Sequence, residues 1–84
     1  MNDTPDLLSQ HTTTLDVRPD LERGDEPFAR IMESAASIAP GCQLVLIAPF
    51  EPVPLYADLG GQGFTHQSEK RAADEWVVTF TRQA

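Results

Sequence analysis

The stretch PFARIMESAASIAPGCQLVLIA, residues 27–48, constrains this chain more than any other. Its first half places Phe28, Ile31, Met32, Ala35, Ile38 and Ala39 at helical intervals, with Arg30, Glu33, Ser34 and Ser37 opposite. That spacing predicts an amphipathic helix with one apolar stripe. Pro40-Gly41 stops it. Residues 42–48 follow at once and are nearly all apolar, which predicts a central strand with both faces at least partly covered, ended by Pro49. A helix with a single apolar stripe, next to a strand of this kind, must lie flat on the sheet.

The flanking segments complete the sheet. Residues 12–17 are β-rich, with Leu15 and Val17 on one face, and Arg18-Pro19 ends that strand because proline donates nothing to a ladder. Residues 20–24 read as a loop. Residues 52–59 read as a short helix with Pro54 in its first turn and Leu55 and Leu59 facing the sheet, and Gly60, Gly61 and Gly63 give its exit. Residues 64–71 and 75–82 read as two strands joined at residues 72–74. In the second, Trp76, Val78 and Phe80 share one face and Val77, Thr79 and Thr81 the other. The order β-α-β-α-β-β predicts an α/β (α+β) two-layer sandwich: a four-stranded mixed sheet with two helices on one face. Residues 1–11, polar and acidic, are expected to be a flexible tail; their apolar pair Leu7-Leu8 is a candidate docking peptide.

Composition narrows the function. The chain has 84 residues, enough for one domain, and its net charge is −7. Residues 1–26 carry seven acids against Arg18 and Arg23, and the only basic cluster is Lys70-Arg71. Phosphate backbones need clustered Lys and Arg, so nucleic-acid binding is not expected. A single cysteine, Cys42, permits no internal disulfide and suits a reducing compartment. The N-terminus lacks the basic and apolar regions of a signal peptide, and the longest apolar run, Leu44 to Ala48, is far short of a bilayer span. A cytoplasmic monomer without membrane attachment is the expectation.

The segment from Leu15 to Arg82 resembles the TusA/SirA-like sulfur-carrier family, and more closely its uncharacterised bacterial branch of unknown function. The resemblance rests on the Leu-Asp-Val-Arg opening strand, the helix ending in Pro-Gly, the Ala-Pro-Phe-Glu-Pro-Val-Pro-Leu turn, the Gly-Phe pair and the Trp-bearing last strand. Sulfur-carrying members hold a Cys-Pro-x-Pro motif at the start of the first helix, where the helix dipole favours a thiolate. Here the matching stretch is Gly24-Asp25-Glu26-Pro27-Phe28. It keeps the proline and lacks the nucleophile, so the resemblance implies the fold without that chemistry.

Asp25 and Glu26 are read first as helix-start residues, Asp25 as N-cap and Glu26 in the first turn, and alternatively as an acid/base pair or a metal foot. The tripeptide Arg23-Gly24-Asp25 is read as a coincidence with an adhesion motif. Cys42, on the face of Leu44 and Leu46, is read as a small hydrophobe, or else as a substitute sulfur-bearing thiol. His66 and Glu69 are the best metal candidates, but no ligand spacing accompanies them, and no metal or cofactor is expected. Gly60-Gly61-Gln62-Gly63 follows a helix rather than opening one, which excludes a phosphate loop. The stiff run Pro49-Phe50-Glu51-Pro52-Val53-Pro54 is a rigid turn or a recognition surface anchored by Phe50. Both this turn and the one at Pro27 join a strand to a helix. If those strands are parallel neighbours, both turns lie at one sheet edge, where α/β sheets bind ligands. The candidate binding residues are thus Asp25, Glu26, Pro27, Phe50, Glu51 and Pro52, with no catalytic residue. The expected function is a non-catalytic module for an unknown protein partner or a small ligand. The alternatives are a sulfur carrier using Cys42 and a metal- or redox-linked accessory domain using His66.

Overall fold

The computed structural model describes residues 12–83; the expected tail, with Leu7-Leu8, lies outside the described residues. The chain runs β1 (Thr12–Asp16), α1 (Arg18–Glu22), α2 (Phe28–Ala36), β2 (Gln43–Ala48), α3 (Val53–Gly60), β3 (Phe64–Ala72) and β4 (Glu75–Arg82). The sheet order is β1-β2-β4-β3. β1 and β2 are parallel, and the other two pairs are antiparallel. The sheet is therefore mixed, as the element order predicts.

One face of the sheet makes the core. Leu44, Leu46 and Ala48 of β2 lie opposite Phe80, Val78 and Trp76 of β4. All of these but Trp76 meet Ile31 and Ala35 of α2 and Leu55 and Leu59 of α3 in one buried cluster. Burying each of the larger side chains is worth about 1.5–3 kcal/mol. The other face carries Val45, Ile47, Thr79 and Thr81, all half-buried. Shallow polar hollows lined by Gln43, Thr65, Gln67 and Thr79 lie on that side. The expected partial cover of both faces of β2 is thus borne out. Its outward side chains are sheltered mainly by their strand neighbours, because β2 lies between β1 and β4.

The loop expected at residues 20–24 is also corrected. Residues 18–22 form the short helix α1, with Pro19 in its first turn. The Asp16 carboxylate accepts a hydrogen bond from the Arg18 backbone N–H at 3.0 Å, and Leu21 donates to the Val17 carbonyl at 3.1 Å. Leu21 packs against the core. A five-residue helix is too short to print a period in the sequence. The sandwich therefore has three helices where two were expected. α2 ends at Ala36, and Ile38 keeps its buried place just beyond the helix.

At the end of the sheet where β2 begins, the molecule is stitched shut by Arg82. Its Nη2 donates to the Ala35 carbonyl in the last turn of α2 at 3.1 Å, and its Nη1 to the Gln62 carbonyl at 3.4 Å. Its guanidinium carbon lies 4.7 Å from the centre of the Phe64 ring. Its backbone bonds to Gly41 and Cys42 on either side of the chain's entry into β2. Gly41 turns there at φ +82°, a conformation that a side chain would strain.

Candidate functional site

The opposite end of the sheet is built differently. β1 and β2 both run toward it, so both connections to helices emerge there. Pro27 and Pro52 sit at the N-cap positions of α2 and α3, and both are buried. Between the two helix starts lies an apolar cleft of about 190 Å³. Val17, Leu46 and Ala48 form its floor. Pro27, Phe28 and Ile31 line one side, and Phe50, Pro52, Pro54 and Leu55 the other. Leu21 of α1 completes the lining, and Glu26 is the one ionisable residue in it. At its margin Phe28 is 44% exposed and Phe50 54%; Val53, the first residue of α3, is 55% exposed. Large apolar groups left in water around an apolar hollow mark an interaction site.

Of the six residues singled out in the sequence, Glu26, Pro27, Phe50 and Pro52 line this cleft. The other two are engaged beside it. Asp25 accepts a hydrogen bond from Arg23 Nε at 3.0 Å, and Glu51 accepts one from the Tyr56 hydroxyl at 3.0 Å. The capping expectation is corrected in detail. Pro27, not Asp25, holds the N-cap position of α2, and Glu26 precedes it outside the helix. The Glu26 carboxylate nevertheless accepts the Phe28 backbone N–H at 2.5 Å, so it fills one of the helix-start donors.

The start of α3 is equally occupied. Val53 donates to the Glu51 carbonyl at 2.9 Å and Leu55 to the Pro52 carbonyl at 3.0 Å, while Pro54 has no N–H. At α2 the first donor is thus taken by the chain's own carboxylate, and at α3 the first donors are taken by backbone carbonyls.

Behind the cleft, the half-exposed Arg30 of α2 holds the buried Asp20 of α1 through one nitrogen at 2.5 and 2.6 Å to its two oxygens. That hydrogen bond holds the Asp20 carboxyl below its ordinary range. Asp16 is held down in the same way by its hydrogen bonds from Arg18. Burial pushes the Tyr56 hydroxyl up. The Tyr56 ring stacks on His66 with centroids 3.7 Å apart and planes 7° from parallel.

The remaining candidates fall elsewhere. His66 shares the helix-side face with Phe64 and Phe80, while Glu69, three residues on, projects to the other side of the sheet. Among the described residues no group of three or more His, Cys, Asp or Glu side chains is placed to hold a metal ion. Cys42 is half-buried against the core at the start of β2. The cleft lies at the other end of that strand, roughly 20 Å away at about 3.3 Å per residue. No described helix is long and apolar enough to cross a membrane.

Sequence reasoning missed Leu21, Val17 and Phe28 as cleft residues. Phe28 carried a signal, since it is the first apolar residue of its stripe and so stands at the sheet's edge. Leu21 carried none, because α1 left no periodic trace.

The family described as an uncharacterized conserved protein, DUF2249, matches residues 14–82. The chain belongs to the DUF2249 family. The match runs from β1 to the last residue of β4, so both proline-bearing turns of the cleft lie inside the DUF2249 region. The comparisons with curated proteins and with solved structures returned no significant match.

Proposed function

We propose that this DUF2249 domain is a non-catalytic recognition module whose cleft receives one apolar side chain of a partner protein. The single observation that carries this is the convergence of two buried prolines and two exposed phenylalanines on one unfilled apolar hollow. Its size favours a protein partner over a small ligand. A hollow of about 190 Å³ is close to the ~150 Å³ that encloses a benzene ring, and below the ~300 Å³ at which drug-sized ligand pockets begin. The TusA/SirA-like resemblance adds a scaffold of the right kind. The absence of cysteine at the start of α2, the Glu26 carboxylate on the Phe28 N–H and the distance of Cys42 from the cleft all weigh against sulfur carriage.

The test is an amide-resolved NMR titration of the full chain with N-acetyl-phenylalanine amide and N-acetyl-leucine amide. Shifts confined to residues 26–31, 46–55 and Leu21 are expected. Shifts on the open sheet face instead, or none at saturating probe, would overturn the proposal.

A further inference from the structure

The surroundings of the cleft select the chemistry of its occupant. The arginines of this end are already committed. Arg18 pairs with Asp16 at 2.9 Å, Arg23 with Asp25 at 3.0 Å, and Arg30 with Asp20. Among the described residues, three carboxylates in or next in sequence to the lining are in no ion pair, although Glu51 accepts the Tyr56 hydroxyl. Glu22 follows the lining residue Leu21, Glu26 is itself in the lining, and Glu51 lies between the lining residues Phe50 and Pro52. Glu22 and Glu26 are exposed. The imbalance is local. Residues 12–62 hold eight acids against three arginines, whereas residues 63–83 hold three acids against three bases.

A helix start would ordinarily soften such a charge by attracting anions. Here the first donors are met within the chain, the Phe28 N–H by the Glu26 carboxylate at α2 and those of α3 by backbone carbonyls. What faces an incoming partner is an apolar slot with uncompensated negative charge at its margin. Resting on the recognition reading above, we infer that the partner presents a basic segment: one phenylalanine- or leucine-sized anchor flanked by lysines or arginines. Rim charges of this kind set selectivity and association rate, and the anchor supplies most of the affinity.

The experiment uses the full chain and four fluorescein-labelled peptides. Three carry a central Phe-Leu pair flanked by two residues on each side: lysines, glutamates or serines. The fourth keeps the lysines and replaces the pair by alanines. The lysine-flanked Phe-Leu peptide is expected to bind about tenfold tighter than the serine form at about 20 mM salt, with the gap mostly closed at about 300 mM. The glutamate and alanine forms should bind more weakly than the serine form. The double variant Glu22→Gln, Glu26→Gln keeps the acceptor for the Phe28 N–H. It should narrow the gap between the lysine and serine peptides to within about threefold at low salt, and an undiminished tenfold gap would overturn the inference.

If the serine and lysine forms bind alike at the cleft amides, the basic-partner inference falls while the recognition module stands. If no peptide moves the cleft amides, both fall. If those amides shift on dilution of the protein alone, or in Leu7→Ser, Leu8→Ser, a second copy or the chain's own first residues fill the slot, and the basic-partner inference is overturned.

Discussion

The two ends of the sheet are closed in different ways. At both, a helix terminus leaves backbone groups that must find partners. At the β2 entry, local bonds such as Ser37 N–H to the Ser34 carbonyl and Ile38 N–H to the Ala35 carbonyl are joined by bonds from across the molecule: a single arginine from β4 reaches the last turn of α2 and the loop before β3 while covering Phe64. At the β2 exit, the bonds shown are all local: the Phe28 N–H goes to Glu26, and the first donors of α3 go to backbone carbonyls beside Pro52. The arginine ties elements together there, and none of the large exposed apolar side chains, Phe28, Phe50 and Val53, lies at that end. Local closure leaves the polar groups content and the apolar side chains uncovered. An end whose polar accounts are settled but whose phenylalanines remain in water is one where binding costs little desolvation of polar groups.

That contrast can be broken or sharpened by substitution. The largest effect should come from the core both ends share. Phe80 is 1% exposed and touches the rings of Tyr56, Phe64 and His66. Phe80→Ala should cost about 3–5 kcal/mol in urea denaturation, a large part of what a small domain possesses. Next comes the stitched end: Arg82→Met keeps the apolar stem over Phe64 but loses the bonds to Ala35 and Gln62. A loss of about 1–2 kcal/mol is expected, with faster hydrogen exchange in the last turn of α2. No change at either readout would show that the closure is incidental.

A smaller effect is expected from acid. Asp16 and Asp20 are held below the ordinary carboxylate range in the folded chain by Arg18 and Arg30. Their contribution is therefore present above about pH 4, the unfolded value, and is lost as pH falls through the lower folded values. The urea midpoint should drop below pH 4, and Asp20→Asn should lower the midpoint at neutral pH while shrinking that acid drop. A variant with an undiminished drop would exclude Asp20 as its source. The smallest effect on stability belongs to the open end: Phe50→Ser, at a side chain more than half in water, should shift stability by less than about 0.5 kcal/mol. It should nevertheless abolish the NMR response to N-acetyl-phenylalanine amide. A large stability loss there would mean that Phe50 closes the fold rather than opening a site.

Much of this architecture was legible beforehand because it follows from periodicity. The stripe from Phe28 to Ile38, the run from Leu44 to Ala48 and the alternation from Trp76 to Phe80 each encode which face is buried, and a mixed sheet roofed by helices satisfies all three. The parallel pairing of β1 with β2 also brought the turns at Pro27 and Phe50 to one edge, as the order of elements implied. Less legible were features made by few residues or by distant ones. α1 is a single turn anchored by Asp16 and Leu21, too brief for a repeat. The N-cap of α2 is Pro27, and the Asp25 carboxylate accepts from Arg23. What sheltered the outer face of β2 depended on which strands flanked it.

From sequence alone came the two-layer plan, the missing nucleophile at the helix start and the surplus of acid. These are properties of residue type and spacing, which the chain carries before it folds. The cleft itself, the pairing of every nearby arginine and the closure by Arg82 arose only in three dimensions. Each depends on groups from separate elements meeting at particular distances, and neither pattern nor composition encodes a distance.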